Sequence, residues 1–202
     1  MSLRLDLLRH GETERGGGFR GRLDDDLTAA GWTQMQAGLG LELPWHALVS
    51  SPLRRCAAFA ERLAASSGLP LYLEADLREL DFGEWEGLSA ATLMETDSDA
   101  LARFWNDPYA FTPPGGEPLA AFEARVFAAL ERLYATHAGK HLLLLTHGGV
   151  MRLLGARALG LPREQLLQVS VAHGERMALR VEPRDGGWSI RTIEPDALST
   201  PR

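Results

Sequence analysis

Two histidines, His10 and His147, each follow a short apolar run of sequence, and each is followed by a glycine. If both runs are neighbouring strands of a parallel sheet, the two rings lie at the carboxyl edge of that sheet, where open α/β sheets bind ligands. Arg9 places a fixed positive charge beside His10, which favours an anion and disfavours a metal ion. The histidine spacing also matches none of the usual zinc patterns. We therefore predict an anion site with neither a metal ion nor another cofactor.

The charged residues indicate how an anion would be held. Lys140 is the only lysine among 21 basic residues, so arginines must supply the positive charge. The planar guanidinium group of arginine suits two phosphate oxygens at once. The net charge of −6 argues against nucleic acid, whose phosphate backbone requires a basic face. A small phosphorylated molecule is therefore the expected ligand.

The apolar segments are too short for a membrane protein. The longest apolar runs, such as Leu142–Leu145, have the length of a strand and cannot cross a bilayer. Charged residues interrupt Leu3–Leu8, so it does not resemble a signal peptide. We expect no membrane association and a cytoplasmic location. Cys56, the single cysteine, lies in an apolar helical stretch, which predicts a buried structural role.

Short apolar runs alternate with segments of helical periodicity, which predicts a three-layer α/β/α fold around a mostly parallel sheet. At 202 residues, the chain suits a single domain over residues 1–202. The predicted strands are Leu3–Leu8, Ala47–Ser50, Leu71–Leu73, His141–Thr146, Val169–Ala172, Met177–Val181 and Trp188–Ile193, the last two joined by a turn at Asp185-Gly186-Gly187. The predicted helices run from Thr28 to Gly40, from Ser51-Pro52 to Ser66 or Ser67, over Leu119–Ala138 and over Val150–Leu159.

Residues 76–118 break this pattern with clusters of Gly, Trp, Asp and Pro, and we interpret them as a small, mostly helical insertion that caps the domain. Its aromatic residues could stack on an aromatic substrate or form the insertion's own core. These residues are Trp85, Phe104, Trp105 and Tyr109. The segment from Pro195 is expected to be a frayed tail.

Several blocks of sequence occur in a characteristic order over nearly the whole chain. They are Arg9-His10-Gly11-Glu12-Thr13, Gly21-Arg22-Leu23-Asp24, Ser51-Pro52-Leu53-Arg54-Arg55, Leu77-Arg78-Glu79 with Phe82-Gly83, Pro114-Gly115-Gly116-Glu117 and Thr146-His147-Gly148-Gly149. Together they resemble the signature of the histidine phosphatases, also called the phosphoglycerate mutase-like family. The resemblance implies a phosphoglycerate mutase-like fold and metal-independent hydrolysis of a phosphate monoester.

The resemblance also implies a role for each matching residue. His10 would be the nucleophile that forms a phosphohistidine. Glu79 would protonate the leaving oxygen and afterwards activate water. His147 would stabilise the charge of the transition state. The residues implied to bind the phosphoryl group are Arg9, Arg55, His147 and Gly148.

One departure from the family lies after the first block, where many relatives carry an asparagine and this chain has Gly16 or its glycine neighbours. Backbone amides of residues 16–18 or nearby arginines could replace that donor, because glycine lets the main chain approach an anion closely. The candidate substrate-binding residues in this region are Arg20, Gly21 and Arg22. Three carboxylates near Glu79 are interpreted as solvated loop residues, namely Asp81, Glu84 and Glu86.

Within the family, residues 18–21, 24–28 and 111–117 resemble those of α-ribazole-5′-phosphate phosphatases of cobalamin biosynthesis. Phosphoglycerate mutases share the same catalytic residues but are longer, and a broad-specificity phosphatase remains a further alternative. A non-catalytic phosphoester-binding module is another, although binding alone would not require Glu79. The chain could also form a homodimer.

The other histidines carry weaker signals. His46, His137 and His141 are expected at the surface with no assigned role. His173 follows a predicted strand and could contact the substrate, because functional residues often lie on loops.

Overall fold

The fold is described by a computed structural model that covers residues 1–193, so the expected tail from Pro195 lies outside the described residues. The strands are β1 (Leu3–Arg9), β2 (Ala47–Ser50), β3 (Leu71–Leu73), β4 (His141–Thr146), β5 (Arg176–Arg184) and β6 (Gly187–Thr192). The helices are α1 (Ala29–Leu39), α2 (Arg54–Ser67), α3 (Ala90–Thr96), α4 (Ser98–Asn106), α5 (Leu119–His137) and α6 (Gly148–Leu159). Short 3-10 helices cover Ala75–Leu77, Gly83–Trp85 and Arg163–Gln168.

The strands form one sheet in the order β3-β2-β4-β1-β5-β6. The first four strands of this order are parallel, whereas β5 pairs antiparallel with both β1 and β6. The predicted mostly parallel sheet is therefore confirmed. The β5–β6 hairpin turns at Gly186 and Gly187, whose φ angles of 79° and 153° favour glycine. The predicted turn at this place is also confirmed.

Both faces of the sheet are covered by helices, which confirms the three-layer prediction. Leu142 and Leu144 pack in the core that includes α5 and α6, whereas Leu143 and Leu145 pack in the core that includes α1 and α2. Successive side chains of a strand point to opposite faces, so a fully apolar β4 is the pattern expected of a central strand. No helix in residues 1–193 is both long and apolar enough to cross a membrane.

The predicted strand over Val169–Ala172 is wrong. Its carbonyl groups are bound by side chains rather than by a neighbouring strand. The oxygen of Val169 accepts a hydrogen bond from Nε of Arg152 at 3.1 Å, and the oxygen of Val171 accepts one from Nη1 of Arg9 at 2.6 Å. Arg152 and Arg9 therefore satisfy two carbonyl groups that a strand would use for pairing, and the backbone of this segment stays irregular.

Two helices begin at other residues than predicted. Helix α2 begins at Arg54 rather than at Pro52, because Oγ of Ser51 accepts the Leu53 amide at 3.3 Å and shapes a turn before the helix. Helix α6 begins at Gly148, two residues before the predicted start. Its first turn gains a partner, since the amide of Gly149 donates to a carboxylate outside the helix.

Residues 76–118 contain α3, α4 and the 3-10 helix at Gly83–Trp85. Trp85 and Phe104 are buried in the same apolar cluster as Phe122 of α5. The apolar side of this segment is thus continuous with the core of the domain, and its description as a separate insertion stays a prediction.

The predicted surface positions of His137 and His141 are wrong, because both side chains are buried. Nε2 of His141 lies 3.0 Å from the carboxylate of Asp6, which also accepts a hydrogen bond from Nε1 of Trp45 at 2.9 Å. Burial acts to raise the pKa of Asp6, but the contacts with His141 and Trp45 outweigh it and hold that pKa below its ordinary value. The contact between Asp6 and His141 therefore joins β1 to β4 away from the site.

Candidate active site

The ends of β1 and β4 bring the two histidines together. Arg9 and Thr146 are aligned in the parallel register, and the amide of His10 donates to the oxygen of Thr146 at 3.0 Å. The next residue of each strand is a histidine, and the ring centroids of His10 and His147 lie 5.3 Å apart. The structure thus places both rings at the carboxyl edge of the sheet.

His10 is buried, and its ring is held in one tautomer. Nδ1 lies 2.8 Å from the carbonyl oxygen of Gly11. Because a carbonyl group can only accept, Nδ1 carries the proton and Nε2 keeps a lone pair. Burial lowers the pKa of His10 well below its ordinary value, and the charge of Arg55 lowers it further. His10 is therefore a neutral imidazole with an unprotonated Nε2.

His147 is fully buried behind His10. Nε of Arg55 donates to Nδ1 of His147 at 3.3 Å, which assigns the proton of the ring to Nε2. Nε2 is 2.8 Å from Oγ of Ser51 and donates to it. Burial lowers the pKa of His147 well below its ordinary value. Cys56 packs near the same ring, and its own burial raises the thiol pKa to about 12, so it is an inert neighbour as predicted.

Arg55 is 0% exposed and fastens a loop beneath the two histidines. Nη1 donates to the oxygen of Leu23 at 2.6 Å, and Nη2 donates to the oxygen of Gly21 at 2.8 Å. Arg55 and His147 therefore lie one layer below the cavity, although the family resemblance implies that they surround the phosphoryl group. The charge of Arg55 lowers the pKa of His10 from this layer, although Arg55 itself does not line the cavity.

A cavity of about 570 Å³ opens over His10. Its polar lining residues are Arg9, Thr13, Arg20, Glu79, Arg152 and His173. Its apolar lining residues include Phe19, Phe82, Phe104, Trp105, Phe122 and Leu167. Within residues 1–193, no group of three or more His, Cys, Asp or Glu side chains could hold a metal ion. The cavity therefore combines arginine side chains with several aromatic rings.

Arg9 brings a positive charge to this cavity, which it lines. Its Nε is buried without a hydrogen-bond partner in the described part of the chain. Burial lowers the pKa of Arg9 from its ordinary value, and the negative charge of Glu79 opposes that shift. A guanidinium group that lines a cavity suits an anionic ligand.

Glu79 is fixed at the cavity wall by the backbone. One carboxylate oxygen accepts the amide of Leu80 and the other accepts the amide of Gly149, both at 2.9 Å. A side chain at Gly149 would clash, because its Cβ would lie 2.1 Å from Oε1 of Glu79. Glycine at that position therefore lets the first turn of α6 hold the carboxyl group.

Arg152 lines the cavity and is absent from the sequence-based candidates. It lies one helical turn after Gly148, where a Cβ would be 2.8 Å from Nη1 of Arg152 and 3.3 Å from Nε of Arg9. Gly148 itself does not line the cavity, but the lack of a side chain there leaves room for both arginines, and its phosphate contact stays a prediction. The helical spacing from Gly148 is the sequence signal that could have identified Arg152.

The first loop, residues 10–28 between β1 and α1, carries the three candidate substrate-binding residues, and the structure places them differently. Arg20 lines the cavity and donates to Oγ1 of Thr13 at 2.7 Å and to the carboxylate of Asp25. Gly21 and Arg22 do not line the cavity, so the structure does not place them for the predicted substrate contact. Their backbone amides donate instead to the carboxylate of Glu86.

Glu86 is a structural residue, and its interpretation as a solvated loop carboxylate is wrong. Its carboxylate accepts the amides of Gly21, Arg22 and Phe82 at 3.0 Å each and that of Leu23 at 3.2 Å. Four amides on one carboxylate tie the first loop to residues 82–86. This tie explains why Gly21 and Arg22 face away from the cavity.

The glycines of residues 16–18 lie at the cavity, whereas the aromatic residues of segment 76–118 are divided between the core and the cavity. Residues 16–18 line the cavity, but the amide of Gly16 already donates to the oxygen of Thr13 at 3.0 Å. Trp85 is buried in the core, Phe104 is buried but also lines the cavity, and Trp105 is 46% exposed and lines the cavity. The two predicted roles of the aromatic residues are therefore divided among them.

Comparisons with known proteins give consistent relatives. Residues 5–195 match the family model of the histidine phosphatase superfamily (branch 1). The bifunctional protein Rv2228c of Mycobacterium tuberculosis is 37% identical over 204 residues, which cover 98% of this chain but 52% of that protein, so the chain spans about half its length. The adenosylcobalamin/alpha-ribazole phosphatase of Escherichia coli K12 is 32% identical over 180 residues, covering 85% of this chain and 87% of that protein. The native structure of mycobacterial glucosyl-3-phosphoglycerate phosphatase Rv2419c superimposes with a TM-score of 0.81 at 28% identity, over 95% of this chain and 97% of that one.

The buried His147 predicts a specific dependence of stability on pH. The unfolded chain binds a proton at this histidine below about pH 6.5, whereas the folded protein keeps the ring neutral, so acid favours unfolding by about 1.4 kcal/mol per pH unit. The substitution His147→Gln removes the titrating ring and therefore this loss of stability in acid. Between pH 6 and pH 5, its free energy of unfolding, measured by urea titration, should fall by about 1 kcal/mol less than that of the wild type. The exposed His46→Gln should keep the wild-type slope. Equal slopes for His147→Gln and the wild type would show that His147 titrates in the folded state.

Proposed function

Because the chain belongs to the histidine phosphatase superfamily (branch 1), we propose that it hydrolyses phosphate monoesters through a phosphohistidine on His10. The observation that carries the proposal is the hydrogen bond from Nδ1 of His10 to the oxygen of Gly11, which leaves the lone pair of Nε2 free for attack. The ligand is a small phosphorylated molecule.

In the first step, Nε2 of His10 attacks phosphorus, and the bond between phosphorus and the leaving oxygen breaks. The carboxyl group of Glu79 gives its proton to that oxygen, so the product leaves as an alcohol. The charges of Arg9 and Arg152, which both line the cavity, stabilise the phosphoryl oxygens there. The positive charge of Arg55, which lies beneath the cavity, adds to this stabilisation of the phosphoryl oxygens.

In the second step, water attacks phosphorus while the carboxylate of Glu79 takes a proton from that water. The bond between phosphorus and nitrogen breaks, and its electron pair returns to Nε2 of His10. Inorganic phosphate leaves, and both Glu79 and His10 regain their starting protonation states. The cycle balances with these two side chains and one water molecule.

The proposed substrate is α-ribazole 5′-phosphate. Its flat benzimidazole group suits a cavity that Phe19, Phe82 and Trp105 line together with the arginines. The relative from Escherichia coli carries the name of an alpha-ribazole phosphatase, which supports the same substrate class. Phosphoglycerates have no flat apolar group that could contact these aromatic residues. A mutase or broad-specificity phosphatase is therefore the weaker candidate.

Rapid quenching with a labelled phosphate monoester should trap phosphate on His10 in an acid-labile, base-stable form. His10→Asn should trap none, because the amide of asparagine is not a nucleophile. Trapping should persist after treatment with a chelator. Turnover by the wild type without any label on His10 would contradict the covalent route.

Glu79→Gln should slow substrates with poor leaving groups far more than those with good ones. An alkyl ester such as ribose 5-phosphate needs the proton from Glu79, so its kcat/KM should fall by about 10²- to 10⁴-fold. Because p-nitrophenol leaves readily as an anion, the phosphorylation step with p-nitrophenyl phosphate, measured as the burst, should fall much less. Glu84→Gln, an exposed carboxylate nearby, is the matched control and should behave as the wild type. Equal losses for both substrates would mean that another residue is the acid.

Trp105→Ala tests the substrate assignment. Loss of one aromatic contact should reduce kcat/KM for α-ribazole 5′-phosphate by about tenfold, corresponding to roughly 1.4 kcal/mol. The values for 3-phosphoglycerate and glucose 6-phosphate should stay within about twofold of the wild type, since neither has a flat apolar group. In the wild type, a preference for the riboside of less than about tenfold, equivalent to roughly 1.4 kcal/mol, would leave only a broad phosphatase.

A further inference from the structure

His173 stands beside the nucleophile without a partner. Its ring centroid lies 5.6 Å from that of His10, at an interplanar angle of 40°, and its side chain lines the cavity. In the part of the chain that the structure describes, neither ring nitrogen of His173 forms a hydrogen bond, and the steps derived above do not use it. The residue is exposed to the solvent that fills the cavity, so its ring nitrogens can bind a group that the cavity receives.

The turn that carries His173 is bonded to Arg9 at three points. The oxygen of Val171 accepts Nη1 of Arg9 at 2.6 Å, the amide of Gly174 donates to the oxygen of Arg9 at 3.2 Å, and the amide of Arg9 donates to the oxygen of Glu175 at 3.0 Å. Because Arg9 directly precedes His10, this turn fixes His173 relative to the nucleophile.

Helix α1 closes the other side of this turn. Gly174 has a φ angle of 71°, and a Cβ there would lie 2.4 Å from the backbone oxygen of Gln34. Both the conformation and the close approach require glycine. The turn is therefore held between α1 and the end of β1, which limits the motion of the His173 backbone.

The neighbours of His173 indicate which part of a substrate it meets. Its ring lies 5.6 Å from that of the nucleophile, and it shares the cavity lining with Arg9 and Arg20. Burial first, and then the charge of Arg9, lowers the pKa of His173, so the ring of the empty site is neutral at pH 7. A phosphoryl group under attack by His10 therefore comes close to His173.

We propose that His173 binds the transferring phosphoryl group, donating its ring N–H to a non-bridging phosphoryl oxygen. The contact forms while phosphorus lies between the leaving oxygen and Nε2 of His10, and it persists in the phosphohistidine. A neutral imidazole always carries one N–H, so the contact transfers no proton and breaks no bond. This inference rests on the proposed function, because it assigns a role within the same cavity.

Calorimetric titration with inorganic phosphate tests the contact without any turnover. His173→Ala should weaken phosphate binding by about tenfold, and it should lower kcat/KM by a similar or larger factor for p-nitrophenyl phosphate and α-ribazole 5′-phosphate alike. His173→Gln keeps an N–H donor and should recover most of both losses. His46→Ala, at the opposite end of the sheet and exposed, should match the wild type.

Three results would overturn the proposal. Unchanged phosphate binding in His173→Ala, with a loss of kcat/KM for the riboside alone, would place His173 on the leaving group. Equal losses in the Ala and Gln variants, together with lower melting temperatures, would make the residue structural. Wild-type values in both assays would leave it without a role. If the wild-type protein binds phosphate but hydrolyses no ester, the proposed function fails, while the calorimetric comparison still decides the role of His173.

Discussion

The hydrogen bond from Nδ1 of His10 to the oxygen of Gly11 sends the lone pair of Nε2 into the cavity, and neighbouring contacts keep this geometry in place. Gly11 and Gly31 pack so closely that a Cβ on Gly11 would lie 2.1 Å from the oxygen of Gly31. Thr28 caps α1 by accepting the amide of Gly31 at 3.0 Å, and its own amide donates to the oxygen of Glu12. The first turn of α1 thus holds the backbone that orients the nucleophile.

The buried cations are arranged so that they favour an incoming anion. Nη1 and Nη2 of Arg55 donate to backbone carbonyl oxygens of the first loop, and the buried carboxylate of Asp25 lies 3.9 Å from Nη1. Arg9 keeps an unpaired buried Nε, and an unsatisfied buried donor costs about 1–3 kcal/mol. The positive charges of both arginines are thus in place before phosphate arrives, and such preorganised charge stabilises the charge that develops in the transition state.

The sequence was informative where local patterns set the geometry. Two apolar runs that each end in a histidine are enough to predict adjacent strands, and the register of Arg9 with Thr146 places the rings together. Arg152 and Glu86 were missed as functional or structural residues, because their partners are loop carbonyls and amides brought near only by folding. The segment Val169–Ala172 has the apolar pattern of a strand, yet arginine side chains take its carbonyls, and no local pattern reports that. Glu79 was identified through the family resemblance, since nothing in its spacing alone separates it from its acidic neighbours.

The central claim is that the resting His10 is a neutral ring with its proton on Nδ1. Nitrogen-15 NMR of the histidine-labelled protein measures this directly, with the His10 signals assigned by their loss in His10→Asn. At pH 7, and still at pH 6, the account predicts a protonated Nδ1 and an unprotonated Nε2, because burial and Arg55 hold the pKa of His10 well below its ordinary value. A protonated Nε2, or an imidazolium ring at pH 7, would contradict it.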